Sequence, residues 1–204
     1  MKNRNILFYI KDLERPIFTT SELSASSGKS LSTVTQSLNY LQSQGVIFKV
    51  TNGIWAEAKN RRLSAYSIIP FLLPRQRAYV SFISALHLHG MIEQIPQVIT
   101  LASTSHAKLI RTKLGDYSVH QINPLFFAGF DWYKKEENFL IAEPEKALVD
   151  CLYLSAHKGR KFHKFPELYF PETFNRKRAR YWAKRINALR VRKNVLKKLG
   201  VLGV

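Results

Sequence analysis

The chain has 204 residues, room for one large or two small domains, and carries 32 Lys and Arg against 14 Asp and Glu, a formal net charge of +18. Self-repulsion on that scale points to a polyanionic partner. A single cysteine, Cys151, excludes an internal disulfide and fits a reducing, cytoplasmic setting with the thiol packed in a core; no apolar run has the length of a signal peptide or a membrane span, so a soluble protein is expected.

In chain order, the first helix is expected over residues 3–13, with Ile6, Leu7 and Ile10 as its apolar stripe, and Pro16 forces the break after it. Thr19 and Glu22 have the spacing of a capping box, in which the hydroxyl accepts from the backbone three residues on while the carboxylate reaches back; a short helix follows through Leu23 and Ala25. Ser27-Gly28-Lys29-Ser30 ends it. Gly28 tolerates the positive φ of a tight turn, and Ser30 caps a longer helix whose apolar positions Leu31, Val34, Leu38 and Leu41 recur at steps of three and four. Gly45 closes that helix as its C′ residue. Residues 46–50 and 54–56 then flank Asn52-Gly53, the pair that fits the two positive φ angles of a type I′ turn, and make a two-stranded wing.

A helix, a turn, a second helix and a wing over residues 19–56 form the arrangement that sets a helix in the DNA major groove. Away from its apolar positions the second helix carries Ser32, Thr33, Gln36, Ser37 and Tyr40, side chains that hydrogen-bond base edges or phosphates without a charge to bury. Lys29 and Ser30 at the turn, with Lys49 and Asn52 in the wing, complete the expected DNA-binding set. The alternative is a solvated helix in a small structural domain of the same shape used for protein contacts; the net charge weighs against it.

Residues 59–76 combine Arg61 and Arg62 with Pro70 and Pro74 and read as a connector. Beyond it, residues 80–90 read as a helix closed by Gly90, residues 98–101 as a short strand, residues 117–122 as a half-buried strand, and residues 139–142 as a third. Pro144 at a helix N1 position opens a helix to about Leu154. Residues 175–199 read as one long terminal helix with Trp182, Ile186, Leu189 and Leu196 as its stripe.

The charge gathers at that end. Residues 1–157 hold 17 Lys and Arg against 12 Asp and Glu, residues 158–204 hold 15 against 2, and the terminal helix itself has 11 cations and no acid. Ordinary solvated faces mix both signs, so Arg176, Arg178, Lys184, Arg185 and Arg192 are expected to meet nucleic-acid phosphate; the alternative is a solubility face packed on the domain by Trp182 and Ile186. His87 and His89 lie two apart on an expected helix and point in different directions, and neither CxxC nor HxxxH spacing occurs, so no metal is expected. Glu57-Ala58-Lys59 has the Glu-x-Lys spacing of a nuclease site but reads as exposed linker at the wing's end. Without a glycine-rich phosphate loop, a nucleophile elbow or a Cys/His pairing, neither catalysis nor a cofactor is expected.

Residues 79–92, Tyr-Val-Ser-Phe-Ile-Ser-Ala-Leu-His-Leu-His-Gly-Met-Ile, with Gln94-Ile95-Pro96 and the strand after them, resemble the AbiEi family of antitoxins from bacterial abortive-infection (type IV) toxin–antitoxin systems. So does Ala142-Glu143-Pro144-Glu145-Lys146-Ala147-Leu148-Val149-Asp150. The winged helix in front matches that family's N-terminal half, so the resemblance spans nearly the whole chain. It implies that the winged helix represses the chain's own operon at inverted repeats in double-stranded operator DNA, and that the C-terminal domain counteracts a nucleotidyltransferase-like toxin without a stable complex. The small residues Ser84, Ala85 and Gly90 and the helix start Pro144-Glu145 read as structural rather than as a site.

The expected fold is therefore α+β: a winged helix-turn-helix over residues 1–58, a connector over 59–76, and a mixed α/β antitoxin domain over 77–204 ending in a long basic helix. The leading function is a non-enzymatic, autoregulating antitoxin. A stand-alone transcription factor whose second domain senses a ligand or dimerises is the first alternative, which an adjacent nucleotidyltransferase-like reading frame would separate; a nuclease or RNA-modifying enzyme, betrayed by metal-dependent cleavage, is the second.

Overall fold

The computed structural model describes residues 4–133, 138–157 and 166–204. Among the described residues it is a mixed α+β chain of eight α-helices and two β-sheets. It divides into two compact units, Met1–Leu72 with Arg111–Gly115, and Leu73–Ile110 with Asp116–Val204. The division at Leu72 falls inside the stretch read as connector; residue 58, the expected domain end, directly follows the last strand of the first unit, and the unit itself runs on through a short helix α4 (Ile69–Leu72) whose Ile69 and Leu72 are buried.

The first unit opens with α1 (Ile6–Asp12), capped by Asn5, whose side-chain Oδ1 accepts from Phe8 N at 3.0 Å; Asn3, where that helix was expected to begin, lies outside the described residues. Ile6 and Ile10, four apart, face inward together. Strand β1 (Ile17–Thr19) follows Pro16, then α2 (Thr20–Ser27), α3 (Leu31–Ser43), β2 (Ile47–Thr51) and β3 (Ile54–Glu57). The sheet has three strands rather than two, in the order β1-β3-β2 and antiparallel throughout, with Ile17 opposite Ala56 and Phe48 opposite Ala56 on its other side. Three residues give too short a run for alternation to declare β1. The core joins Ile6, Ile10, Phe18, Leu23, Val34, Leu38, Ile47 and Trp55, so both helices and the sheet stand on one apolar cluster, and the Trp55 indole donates to Thr20 Oγ1 at 3.0 Å.

Two local readings change. Leu31, assigned to the buried stripe of α3, is 56% exposed: it is the first helical residue, and periodicity alone does not mark where a helix outruns its packing partners. At the hairpin tip only Gly53 takes a positive φ, 72°, and Asn52 does not, so the turn is not type I′; the register shifts between Lys49 and Thr51, as where a left-handed glycine closes a bulged hairpin.

Apart from Arg111, Thr112 and Gly115, which fall with the first unit, the second unit holds a six-stranded mixed sheet ordered β6-β7-β5-β4-β9-β8, built from β4 (Ala78–Val80), β5 (Ile99–Ser103), β6 (Lys108–Thr112), β7 (Gly115–Gln121), β8 (Phe130–Trp132) and β9 (Leu140–Ala142). β4 runs antiparallel to β5 and parallel to β9, and β5 parallel to β7. Val80, expected at a helix start, ends a strand; α5 (Phe82–Leu88) begins two residues later through Phe82 at φ 55°, a left-handed conformation held by Ser81 N donating to Thr100 O (3.0 Å) and Ser84 N to Thr100 Oγ1 (3.1 Å). Pro144 stands at N1 of α6 (Pro144–His157), which carries the buried Cys151.

The expected terminal helix is two, α7 (Arg176–Lys184) and α8 (Leu189–Val201). At 100° per residue the side chains buried by α7 and by the residue after its cap, Ala179, Trp182, Ala183 and Ile186, would sit on a straight helix roughly opposite the Val195 and Leu199 that α8 buries. Breaking the helix between them turns both faces inward. Leu189, expected in the stripe, is exposed as a result.

Candidate nucleic-acid interface

The turn that sets α3 is fixed by side chains. Thr19 Oγ1 accepts from Glu22 N at 3.1 Å and Glu22 Oε2 accepts from Thr19 N at 2.8 Å, the reciprocal capping box; Arg15 holds the other carboxylate oxygen. Partial burial works to raise the Glu22 pKa, but hydrogen bonds from Arg15 and from the Thr19 N–H and hydroxyl outweigh it and the net shift is down. Gly28, at φ 67°, donates to Ser24 O (3.0 Å), and the Ser24 hydroxyl crosses the turn to Lys29 O (2.7 Å). α3 starts at once, with Ser30 Oγ accepting from Thr33 N at 3.2 Å.

Of the nine residues expected to bind DNA, Ser32, Thr33, Gln36 and Tyr40 are exposed on α3, Tyr40 by 67%, and Asn52 is exposed at the hairpin tip. The others carry structural duties as well. Ser30 is the cap. Ser37 donates to Thr33 O at 3.1 Å, and the half-buried Lys49 ammonium lies 5.8 Å from the Trp55 ring centroid. Lys29, Ser37 and Tyr40 come together with Arg4 and Asn5 along a groove of about 460 Å³, a neighbour that sequence reasoning missed because the periodicity of the first helix does not show which later helix its N-terminal end meets. Glu57, read as exposed linker, is half-buried and receives hydrogen bonds from Lys11 (2.6 Å) and Asn60; burial raises its pKa, these bonds and the Lys11 charge lower it, and the net shift is down.

The basic surface of α7 and α8 is more selective than its composition. Arg178 is bound to Glu143, Nε to Oε2 at 2.9 Å and Nη2 to Oε1 at 2.7 Å, and the Trp182 indole donates to the same carboxylate at 3.1 Å. The helix therefore has an acidic partner after all, brought from the residue that precedes α6. The Arg178 hydrogen bond holds Glu143 below the usual carboxylate range, against the rise from partial burial. Arg185 donates to Tyr181 OH at 3.0 Å and Arg192 to the Lys184 carbonyl at 3.4 Å, closing the broken end of α7. Arg176, Arg180 and Lys184 remain exposed with no side-chain partner among the described residues, four apart and on one stripe.

Sequence reasoning also missed the buried polar group of this unit. Lys146 and Asp150, fully buried and four apart on α6, are ion-paired; Lys146 Nζ also donates to Tyr79 OH (2.9 Å), and Asp150 Oδ2 accepts from Tyr79 OH (3.0 Å) and Ser81 Oγ (2.7 Å). The ammonium lies 4.0 Å from the Phe126 ring centroid. Burial pushes the Lys146 pKa down while Asp150 opposes it, and burial with the Asp150 charge pushes Tyr79 well up. No side chain of this group is exposed, so it joins β4 to α6 rather than facing a ligand. His89 Nε2 bonds the Ala142 carbonyl at 2.7 Å, whereas the buried Nδ1 of His87 has no hydrogen-bond partner among the described residues.

No protein-family model matches the chain, and no curated protein matches it significantly. No helix of the described residues is long and apolar enough to cross a membrane.

Proposed function

We propose that the protein is a non-enzymatic, DNA-binding antitoxin that represses its own operon. The first unit acts as a winged helix-turn-helix, with α3 in the major groove of an inverted-repeat operator and the β2–β3 hairpin as its wing. The observation that carries this is the tightly determined junction of α2 and α3: a capping box, a left-handed Gly28 and a Ser30 cap fix a 13-residue helix whose inner side is core and whose outer side is uncharged and polar. The exposed cations Arg176, Arg180 and Lys184 make a second contact with phosphate, and tethering makes the two contacts effectively intramolecular. The second unit counteracts a nucleotidyltransferase-like toxin in the cytoplasm without a stable complex, as the resemblance of residues 79–101 and 142–150 to AbiEi antitoxins implies.

The deciding experiment has two arms. Gel shifts with the DNA upstream of the chain's own reading frame test repression, and co-expression with the adjacent gene tests rescue of growth. Specific retardation and rescue together support the reading; neither, or cleavage of DNA or RNA by the purified protein with divalent metal, overturns it.

A further inference from the structure

The hydroxyl-rich outer side of α3 has fewer donors to offer than its residues suggest. Thr35 Oγ1 donates to the Leu31 carbonyl at 2.7 Å and Ser37 Oγ to the Thr33 carbonyl at 3.1 Å. The hydroxyls of Ser30, Ser32 and Thr33 share two hydrogen bonds of 2.8 Å, Ser30 with each of the other two, and these use two of the three available protons. A phosphate oxygen or a base acceptor needs a donated proton, so the first turn of the helix is poor in the chemistry that its serines and threonines advertise.

Two other side chains of the N-terminal half of α3 are exposed, Leu31 at its first residue and Gln36 in its second turn. A single exposed leucine is ordinary on a protein surface. This one occupies the first helical residue, where a helix entering the major groove meets base edges, and helical side chains tilt toward the N-terminus. The one apolar feature a base pair displays in that groove is the thymine C5-methyl group.

We infer that Leu31 is a specificity-determining residue that reads a thymine methyl group, and that with Gln36 on adenine it restricts readout by the N-terminal half of α3 to A·T pairs. The inference rests on the DNA-binding reading above. Leu31 and Gln36 stand about 140° apart around the helix, so they address different base pairs.

The test selects duplexes from a random pool with the full-length protein, then replaces the thymines of the enriched site one at a time by deoxyuridine, which removes the methyl group alone. Affinities are measured for the wild type, Leu31→Ala and Leu31→Met. At one thymine of each half-site deoxyuridine should weaken wild-type binding about fourfold, the worth of one buried methyl group. Leu31→Ala should lose that discrimination, and Leu31→Met, which keeps apolar reach, should retain it. An enriched site at which no deoxyuridine separates the wild type from Leu31→Ala overturns the inference and leaves DNA binding standing. A pool from which no sequence is enriched overturns the DNA reading and this inference with it.

Discussion

Glu143 and Arg178, 35 residues apart, meet through two parallel hydrogen bonds, with Trp182 as a third donor to the same carboxylate. The pair pins α7 to the start of α6 and withdraws one arginine from the basic surface. Glu143→Gln should loosen this end of α7 by less than any loss in the buried core, since the pair faces solvent and is screened by salt. The sign of its pH dependence is set by the lowered Glu143 pKa: the contribution is present above the unfolded carboxylate value and disappears as pH falls through the folded one. Urea melts of the two proteins should differ at pH 7 and draw together as pH falls through the folded carboxylate value; a difference that does not narrow in acid would assign the loss to packing.

Lys146→Met leaves Asp150 buried without its counter-ion and should cost about 3–5 kcal/mol. Joining it to Asp150→Leu removes both charges and should recover much of that loss, though Tyr79 and Ser81 then lack an acceptor. Denaturant midpoints for the two single variants and the double variant measure the coupling, and strict additivity would contradict the geometry.

Gly129→Ala should destabilise the second unit by more than Gly90→Ala. Both glycines have positive φ, but a Cβ at Gly129 would stand 2.6 Å from the Trp182 ring, while at Gly90 nothing among the described residues lies within 4 Å. The strain at Gly90 alone amounts to about 1–2 kcal/mol. Thermal melts rank the two, and equal losses would mean that Trp182 moves aside freely.

Gln36→Ala should cost about 1–3 kcal/mol on operator DNA and little on random sequence, as base readout requires. Lys29→Ala with Lys49→Ala should instead weaken both and lower the log-log salt slope by about 0.9 for each phosphate that is no longer neutralised. Gel shifts at several salt concentrations separate the two behaviours.

Charge reversal at Arg176, Arg180 and Lys184 is the sharper probe of the terminal surface than any change at Arg178, whose replacement would also release Glu143. The reversed protein should fold, keep its sequence preference and bind with lower affinity and a shallower salt slope. Unchanged affinity and slope would leave these cations no role on DNA.

Local chemistry was the most legible part of the sequence. Thr19 with Glu22, Gly28, Ser30 and Gly45 act over three or four residues, and the structure repeats that reading nearly position by position. What the sequence hid depends on distant partners. Leu189 and Leu196 complete a stripe with Trp182 as regular as the one that exists, and only the walls against which α7 and α8 pack decide that Val195 and Leu199 turn inward. Likewise nothing in the sequence around Lys146 and Asp150 shows that Tyr79 and Ser81, about seventy residues earlier, enclose the pair. The outer face of α3 looked rich in donors because a sequence does not show which hydroxyls are already spent.

That enclosure also sets a timetable for synthesis. Tyr79 leaves the ribosome 71 residues before Asp150, the acceptor of its hydroxyl, which at about 5–20 residues per second is an interval of roughly 4–14 seconds. Throughout it the Tyr79 hydroxyl lacks its acceptor, whereas the whole of the apolar cluster from Ile6 to Trp55 has already been made. The half of the chain proposed to find DNA is thus ready to fold while the half proposed to restrain a toxin still waits for α6, and a nascent protein passes through a stage at which only the first is complete.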